Sequence, residues 1–515
     1  MMTRRELLGL LGGMGIAAAA SGCAARSLPL RQEDVAGAIR ASRFAGLVSS
    51  LTEEFEYDAE VDGKMPTTLR GSLFRNGPGL FERAGLRRRS LMDGDGMVRA
   101  FHFLDRRVRF VNRFVRTEKF TEESAAGAFL YPSFSTQAPG GASANFWAGS
   151  KIKSQAQISV VFRNEKLYAF DESALPYELD PSTLATTGVA TFGLKPDDTL
   201  YSAHPKIDPL TNEWIHFGIR YGAAFTLHVT VFAADGSLAQ HRTIKLPRKV
   251  YFHDFFITRN HLVFHLHPLE IEIASFLLGR DSMADALRWR PGNGSVFLVL
   301  PRHGNAPPHL LETEASFMWH TVNAFEQDGS VVADFIGYRS PDHFLGPDAP
   351  TQAVMEGREG SFSHGGEYRR LRLDLAQKTV STEVLDRGNI EWPMINPVHR
   401  CSAHRYAYVA RTRPGDFFWS GLSRLDTAAG SSEDFFFEPG MFCGEPVFAP
   451  LPGIDYTLKS DMEPGYLLTE VYDSGRAKSF LAVFRADRIS AGPVVKVRLT
   501  HHLPYSMHGC WVPLA

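Results

Sequence analysis

The segment "FMWHTVNAFEQDG", residues 317–329, is the stretch that decides how the rest of the chain is interpreted. Its apolar residues predict a mostly buried strand, and its Asp-Gly pair predicts a hairpin turn. His320 lies in the middle of that strand. A buried imidazole without a hydrogen-bonding partner costs about 1–3 kcal/mol, so the segment predicts that His320 is bonded to another group.

Strand-like segments of this kind recur along most of the chain, separated by turn residues. Examples are "VRAFHFLDRRVRFVNRFV", "ISVVFRNEKLYAFDE", "TLHVTVFAADGSL", "HLVFHLHPLEIEI", "GSVFLVLPRHG" and "FLAVFRADR". So many short strands favour a closed or radially repeated sheet, because one open sheet would expose long edges. We therefore predict an all-β propeller as a single domain over residues 42–515, although no WD or kelch repeat is present.

The composition describes an ordinary globular protein. The chain has 515 residues, 44% of them hydrophobic, with a formal net charge of −2. Basic and acidic residues are interspersed, which excludes the basic surface of a nucleic-acid-binding protein.

The first 23 residues have the features of an export signal. Arg4 and Arg5 precede an apolar stretch, Leu7 to Ala20, and the sequence Ala-Ser-Gly-Cys ends at Cys23. The stretch is too short for a good membrane-spanning helix. The arginine pair resembles a twin-arginine signal, and Cys23 resembles a lipidated cysteine. We expect the protein to be a lipoprotein on the periplasmic side of a bacterial envelope; an ordinary cleaved signal is the alternative. A polar linker, residues 24–41, follows the signal segment.

One insertion departs from the strand pattern. Residues 267–289 contain Phe276-Leu277-Leu278 and then a helix-like stretch. The insertion is either a core-packed connection or an exposed apolar patch, and the patch, residues 268–289, would allow peripheral contact with a membrane.

Four of the 19 histidines lie among aromatic or aliphatic neighbours, as His320 does: His204, His253, His320 and His508. One such residue is more often a core histidine than a metal ligand. Four of them favour a metal site, because imidazole is a common ligand of iron, copper and zinc. They are far apart in sequence, so only a fold that brings distant strands to one axis can gather them.

Metal-bound imidazoles usually donate their second N–H to a carboxylate or carbonyl group. Three acidic residues have the apolar surroundings expected of such partners: Glu172, Glu391 and Glu445. The alternative is that each faces solvent at the end of a strand.

Several ordered motifs together resemble the carotenoid cleavage oxygenase family. They are "GSLFRNGPGLF", "LMDGDGMVRAFHF", "YAFDESALPYELDPSTLATTG", "AHPKIDP", "FHDFFIT", "WHTVNAFE", "EWPMIN", "GEPVF" and "YSMHGCWVP", and they extend from about Gly71 to the end of the chain. The resemblance implies a seven-bladed β-propeller with insertions forming a cap over one face. It also implies a non-haem Fe(II) ion on the axis, bound by His204, His253, His320 and His508. Glu172, Glu391 and Glu445 would then hold three of those imidazoles. The sequence does not distinguish which histidine lacks a carboxylate, and we take His204 as the candidate.

The activity that the resemblance implies is oxidative cleavage of a conjugated C=C bond by O2, in a lipophilic polyene such as a carotenoid or apocarotenoid. Family members that cleave stilbenes resemble one another in a lysine directly before the first of these glutamates. This chain has Asp171 there, which favours the carotenoid class. Stilbenoid cleavage, isomerisation, a non-catalytic binding propeller and a zinc hydrolase are the alternatives.

Overall fold

The computed structural model describes residues 27–105, 107–148, 153–172, 174–195, 200–222, 224–304, 306–456 and 463–514. The predicted export signal, with Arg4, Arg5 and Cys23, lies outside these residues.

The described strands form seven antiparallel units arranged as propeller blades. In chain order, the first five blades contain the following strands: Ser159–Arg163, Lys166–Phe170, Tyr177–Leu179 and Thr186–Val189; Lys206–Ile207, Trp214–Arg220, Thr226–Phe232 and Leu238–Lys245; Phe256–Ile257, His261–Leu266, Ser295–Pro301 and His309–Thr313; Phe317–Gln327, Ser330–Tyr338, Glu367–Asp374 and Thr379–Asp386; Ile390–Met394, Tyr406–Arg411, Gly421–Asp426 and Ser431–Phe436.

The two remaining blades share one sheet, which joins the two ends of the chain. The sixth blade contains Met441–Cys443, Val447–Pro450, Gly465–Asp473, Lys478–Arg485 and Val495–Arg498; the seventh contains Gly509–Pro513, Gly71–Arg75, Asp95–Leu104, Arg107–Phe114 and Glu56–Gly63. The C-terminal strand Gly509–Pro513 pairs with Gly71–Arg75, and Glu56–Gly63 pairs with Val495–Arg498. The first pairing joins the two ends of the chain within the seventh blade, and the second joins the seventh blade to the sixth, so together they close the ring.

The innermost strands surround an axial channel. Each of the seven blades contributes one wall segment, and the channel has a volume of about 660 Å³. Middle strands such as Ser330–Tyr338 are buried along their whole length, whereas the outer strand Leu238–Lys245 alternates between exposed and half-buried residues. The predicted all-β propeller fold is therefore confirmed.

The segment where we predicted a polar linker is largely helical in the structure. A helix spans Gln32–Ala41, and its residue Ile39 is buried against the core formed by the fifth and sixth blades. Gly357 lies so close to Ala38 that a Cβ atom on the glycine would be 2.5 Å from the Ala38 carbonyl carbon. Packing of a few apolar side chains thus adds this segment to the folded domain, which the polar composition did not indicate.

Helices and short strands also lie outside the blades, and some of them, including Gly141–Ala148, Ile273–Leu277 and Ala284–Ala286, form the cap over one face. The remaining helices are Ala45–Val48, Glu118–Ala126, Gly141–Ala148, Ile273–Leu277 and Pro350–Ala353, with 3-10 turns at Ala284–Ala286, Pro291–Asn293, Val354–Glu356, Pro397–His399 and Ile489–Ala491. Short strands lie at Leu30–Arg31, Pro78–Leu80, Glu82–Arg83, Leu86–Arg87, Leu269–Ile271 and Leu287–Trp289.

The insertion 267–289 combines both interpretations that its sequence allowed. Met283 and Leu287 are buried in the core, whereas Phe276, Leu277 and Leu278 are half-buried on the surface of the cap. Within the described residues, no helix has both the length and the apolar character needed to cross a bilayer.

Candidate metal centre

The four aromatic-flanked histidines meet at the inner end of the blades. His204, His253 and His508 each lie just before the innermost strand of a blade, and His320 lies within one. Pairing of the strand Phe317–Gln327 with its neighbour shifts register between Met318 and Thr321. Such an irregularity re-aims a side chain, and here the affected residue is His320.

One ring nitrogen from each histidine lies within 4.8 Å of those of the other three. The Nε2 atoms of His204 and His253 are 2.7 Å apart, and those of His508 and His320 are 3.0 Å apart. Two nitrogens bound to one ion at about 2.1 Å and at right angles to each other are about 3.0 Å apart. The spacing of these nitrogens therefore fits four ligands of one transition-metal ion.

Three of the histidines are held from behind by carboxylates, of which those of Glu391 and Glu445 are buried and that of Glu172 is partly buried. The Nδ1 atom of His253 is 2.6 Å from Glu172 Oε2, that of His320 is 2.6 Å from Glu391 Oε2, and that of His508 is 2.8 Å from Glu445 Oε1. An Nδ1–H that donates to a carboxylate leaves the Nε2 lone pair facing the centre. The structure thus brings together all seven residues that the sequence singled out.

His204 differs from the other three. Among the described residues, His204 has no carboxylate within hydrogen-bonding distance. Burial lowers its pKa well below the usual value, and the neighbouring imidazoles and Lys206 lower it further. A neutral imidazole is the form that binds a metal ion.

The glutamates have different electrostatic surroundings. Burial raises the pKa of Glu172, although His253 opposes this effect. Burial also disfavours charge on Glu445, but His508 and the Arg75 guanidinium outweigh it and lower the pKa of that carboxyl. Burial lowers the pKa of His508 to about 4, which keeps the ring neutral.

Two supporting residues were not predicted from the sequence. Arg75 is fully buried and donates to Glu445, and it also donates to the Met507 carbonyl at 2.7 Å, next to His508. The Tyr251 hydroxyl faces Glu172, and burial together with that carboxylate raises the pKa of Tyr251. The position of Arg75 at the end of the apolar strand sequence "GSLFR" was a signal that this arginine is buried. No local feature of the sequence indicated the contact of Tyr251 with Glu172.

Open space adjoins the centre on two sides. The axial channel reaches His204, His320 and His508 from the face opposite the cap. On the other side lies a smaller cavity, here called the cap-side cavity, next to Glu172. Its walls are Met92, Phe134, Gln155, Gln157, Ile158, Asp171, Glu172, Ala174, Tyr221, Tyr251 and Met283.

The chain is similar over nearly its whole length to proteins of known activity. The apocarotenoid-15,15'-oxygenase of Synechocystis is 29% identical over 473 residues, covering 90% of this chain and 94% of that protein. The isoeugenol monooxygenase of Pseudomonas nitroreducens is 27% identical, covering 89% of this chain and 95% of that protein. A solved structure of cobalt-substituted Synechocystis apocarotenoid oxygenase has a TM-score of 0.83 and 29% identity, covering 92% of this chain and 98% of that one.

The family model described as retinal pigment epithelial membrane protein matches residues 48–513. That match includes all four histidines and all three glutamates of the centre. The chain therefore belongs to the retinal pigment epithelial membrane protein family, the carotenoid cleavage oxygenases, which act on C=C bonds.

Proposed function

We propose that this protein is a non-haem Fe(II)-dependent oxygenase that cleaves one conjugated C=C bond of a carotenoid or apocarotenoid into two carbonyl products. The observation that carries the proposal is the convergence of four imidazole nitrogens, with three of the rings fixed by carboxylates. Nitrogen ligands of this kind suit iron. The name of the Synechocystis relative supports the substrate class.

The described residues would have different roles at such a site. His204, His253, His320 and His508 would hold the ion, and Glu172, Glu391 and Glu445 orient three of the rings. A ferrous ion bound there supplies a centre for activation of dioxygen next to an alkene. The cap-side cavity, with a volume of about 30 Å³, presents Met92, Phe134, Ile158 and Met283 as apolar contacts for one small part of the substrate next to the centre. Such walls exclude water from the reacting bond.

Cleavage of a phenylpropenoid or stilbenoid is the second candidate function. The isoeugenol monooxygenase relative supports it, because that protein covers the chain as completely as the carotenoid enzyme does. Against it stands Asp171, a buried acid at the position where stilbene-cleaving relatives have a lysine.

The direct test is turnover by protein reconstituted with Fe(II). We expect consumption of O2 and release of aldehyde or ketone fragments from an apocarotenoid in detergent, and little turnover of a phenolic stilbene. His320→Ala should abolish cleavage and lower the iron content. His261→Ala is the matched control, because His261 also pairs with a glutamate, Glu326, but is not one of the four histidines of the centre. Faster cleavage of the stilbene would reverse the order of the two candidates.

We also propose that the protein is exported and anchored at the periplasmic face of a membrane by a lipid on Cys23. Three residues lie between Cys23 and Ser27. Ser27 is buried and bonds to Asp285, and its Oγ accepts the Ser282 N–H at 3.2 Å. Both partners belong to the insertion that carries the half-buried Phe276, Leu277 and Leu278, so the anchor and the apolar segment favour contact through the same face. Cell fractionation tests this: replacing Arg4 and Arg5 by Lys should block export, and Cys23→Ser should release the protein from membranes.

A further inference from the structure

The cap-side cavity has a polar wall that the proposed reaction does not by itself require. Gln157, Asp171 and Tyr221 line it together with the metal-centre residue Glu172. Ile158 continues this wall to the other side of the centre, since its carbonyl oxygen accepts the backbone N–H of His508 at 3.0 Å. A ligand in the cavity therefore lies beside the metal centre and meets these polar groups at the same time.

Gln157 presents an unsatisfied acceptor. Its side chain is 2% exposed, and its Nε2 donates to the Met92 carbonyl oxygen. Because a carbonyl oxygen only accepts, that bond fixes which end of the amide is the nitrogen. The other end, Oε1, is buried and has no hydrogen-bonding partner. A buried polar atom without a partner is unfavourable unless a ligand or water supplies a donor.

The other polar atoms of this wall are mostly acceptors as well. The two carboxylate oxygens of Asp171 accept the backbone N–H groups of Gln155 and Glu172, at 2.5 and 2.7 Å. Asp171 has no basic side chain within ion-pairing distance among the described residues. Glu172 accepts from His253, and the Tyr221 hydroxyl can donate or accept. A ligand group in this cavity thus meets more acceptors than donors, and no lysine or arginine is among the described residues that line it.

We propose that the substrate carries a neutral hydroxyl group that donates a hydrogen bond to Gln157 Oε1. The inference rests on the proposed C=C cleavage and adds the chemistry of one end of the substrate. A hydroxyl supplies the missing donor. An aldehyde, an ether or a carboxylate offers only acceptors to Gln157. The hydroxyl can belong to a polyene alcohol, an apocarotenol, or to a phenolic alkene.

Equilibrium binding tests the proposal without depending on turnover. The purified protein is titrated without oxygen with an apocarotenol and with the apocarotenal of the same chain length, following quenching of tryptophan fluorescence. A second pair, para-hydroxystilbene and para-methoxystilbene, distinguishes the two sources of the hydroxyl. A site built to bond a hydroxyl discriminates strongly against analogues lacking it, so we expect at least about tenfold tighter binding of the hydroxyl member in one of the pairs. That pair identifies the source.

Variants of the cavity then assign the effect to Gln157. Gln157→Leu should reduce the hydroxyl preference to about twofold or less, because it removes the acceptor at similar volume. Met92→Leu changes an apolar wall of the same cavity and should keep the ratio of the two affinities, whatever it does to either affinity.

Equal binding of both members of both pairs by the unmodified protein would refute the proposal, as would an unchanged ratio in a folded Gln157→Leu variant. If that variant does not fold, Gln157→Met, which also removes the acceptor at similar volume, should lower the preference in the same way. A Gln157-dependent preference without cleavage would refute only the proposed reaction.

Discussion

At the scale of single residues, the centre depends on which nitrogen of each imidazole carries the proton. Glu172, Glu391 and Glu445 each accept from an Nδ1 atom, which leaves three Nε2 atoms as ligands. For His320, burial lowers the pKa, but the Glu391 carboxylate more than offsets this, and the pKa of His320 is raised. The carboxylate therefore orients this ring and makes it more basic, and a more basic imidazole is a stronger ligand.

We expect Glu391→Gln to reduce metal affinity or activity about 10–100-fold, because the amide keeps the shape but removes the negative charge behind His320. Competition with a chelator measures the affinity for Fe(II). Glu326→Gln is the matched control, since Glu326 lies 3.1 Å from Nδ1 of His261 outside the centre. Equal affinity in the two variants would mean that the carboxylate does not act on the ligand.

At the scale of elements, the two cap helices Gly141–Ala148 and Ile273–Leu277 contact each other through a glycine. Gly279 follows the second helix with a φ of +66°, and a Cβ atom there would be 2.5 Å from the Ala142 oxygen and from the Phe146 nitrogen. Because both of these are backbone atoms, the helices would have to separate to admit a side chain. The glycine thus sets their distance at the surface that carries Phe276.

We expect Gly279→Ala to loosen this helix pair. The left-handed conformation alone costs an alanine about 1–2 kcal/mol, and the backbone overlap adds to it. Gly127→Ala provides the comparison: Gly127 also ends a helix, with a φ of +63°, but has no atom within 4 Å of the added Cβ. Hydrogen exchange at residues 142–146 should accelerate in Gly279→Ala only. Unchanged protection there would show that the close approach is not needed for cap packing.

At the scale of the whole molecule, closure of the ring and assembly of the centre depend on the same contacts. The strand Gly71–Arg75 pairs with the last strand, which follows His508 directly. Its Arg75 is fully buried and bonds to Glu445, to the Met507 carbonyl and, at 2.9 Å, to Ser506 Oγ. One side chain near the N-terminus therefore supports a ligand near the C-terminus and its carboxylate partner.

We expect Arg75→Met to destabilise the protein by about 3–5 kcal/mol, the cost of leaving a buried carboxylate without its partner, and to weaken metal binding. Denaturant unfolding and metal titration measure the two effects. Arg99→Met is the control, because Arg99, the cross-strand neighbour of Arg75, is equally buried but pairs with Glu470 at 3.2 Å and not with a carboxylate of the centre. It should lose stability but keep metal affinity. If the metal affinity falls equally in both variants, Arg75 has no specific role at the centre.

The sequence by itself determined the type of fold and the residue types of the centre. Alternating apolar residues and turn signals are local, and they predict strands without knowledge of their partners. The ordered motifs around His204, His253, His320 and His508 then indicated the family. The same local information did not reveal the helix Gln32–Ala41, because its stability comes from packing against distant blades.

Only the tertiary structure decided which groups meet. The pairs Glu172–His253, Glu391–His320 and Glu445–His508 are separated by 81, 71 and 63 residues, and no periodicity operates over such distances. The orientation of the Gln157 amide and the contacts of Arg75 depend likewise on carbonyl groups of other strands and loops. Propensity and pattern act between near neighbours in the chain, whereas a site on the axis of a propeller is formed by contacts between blades.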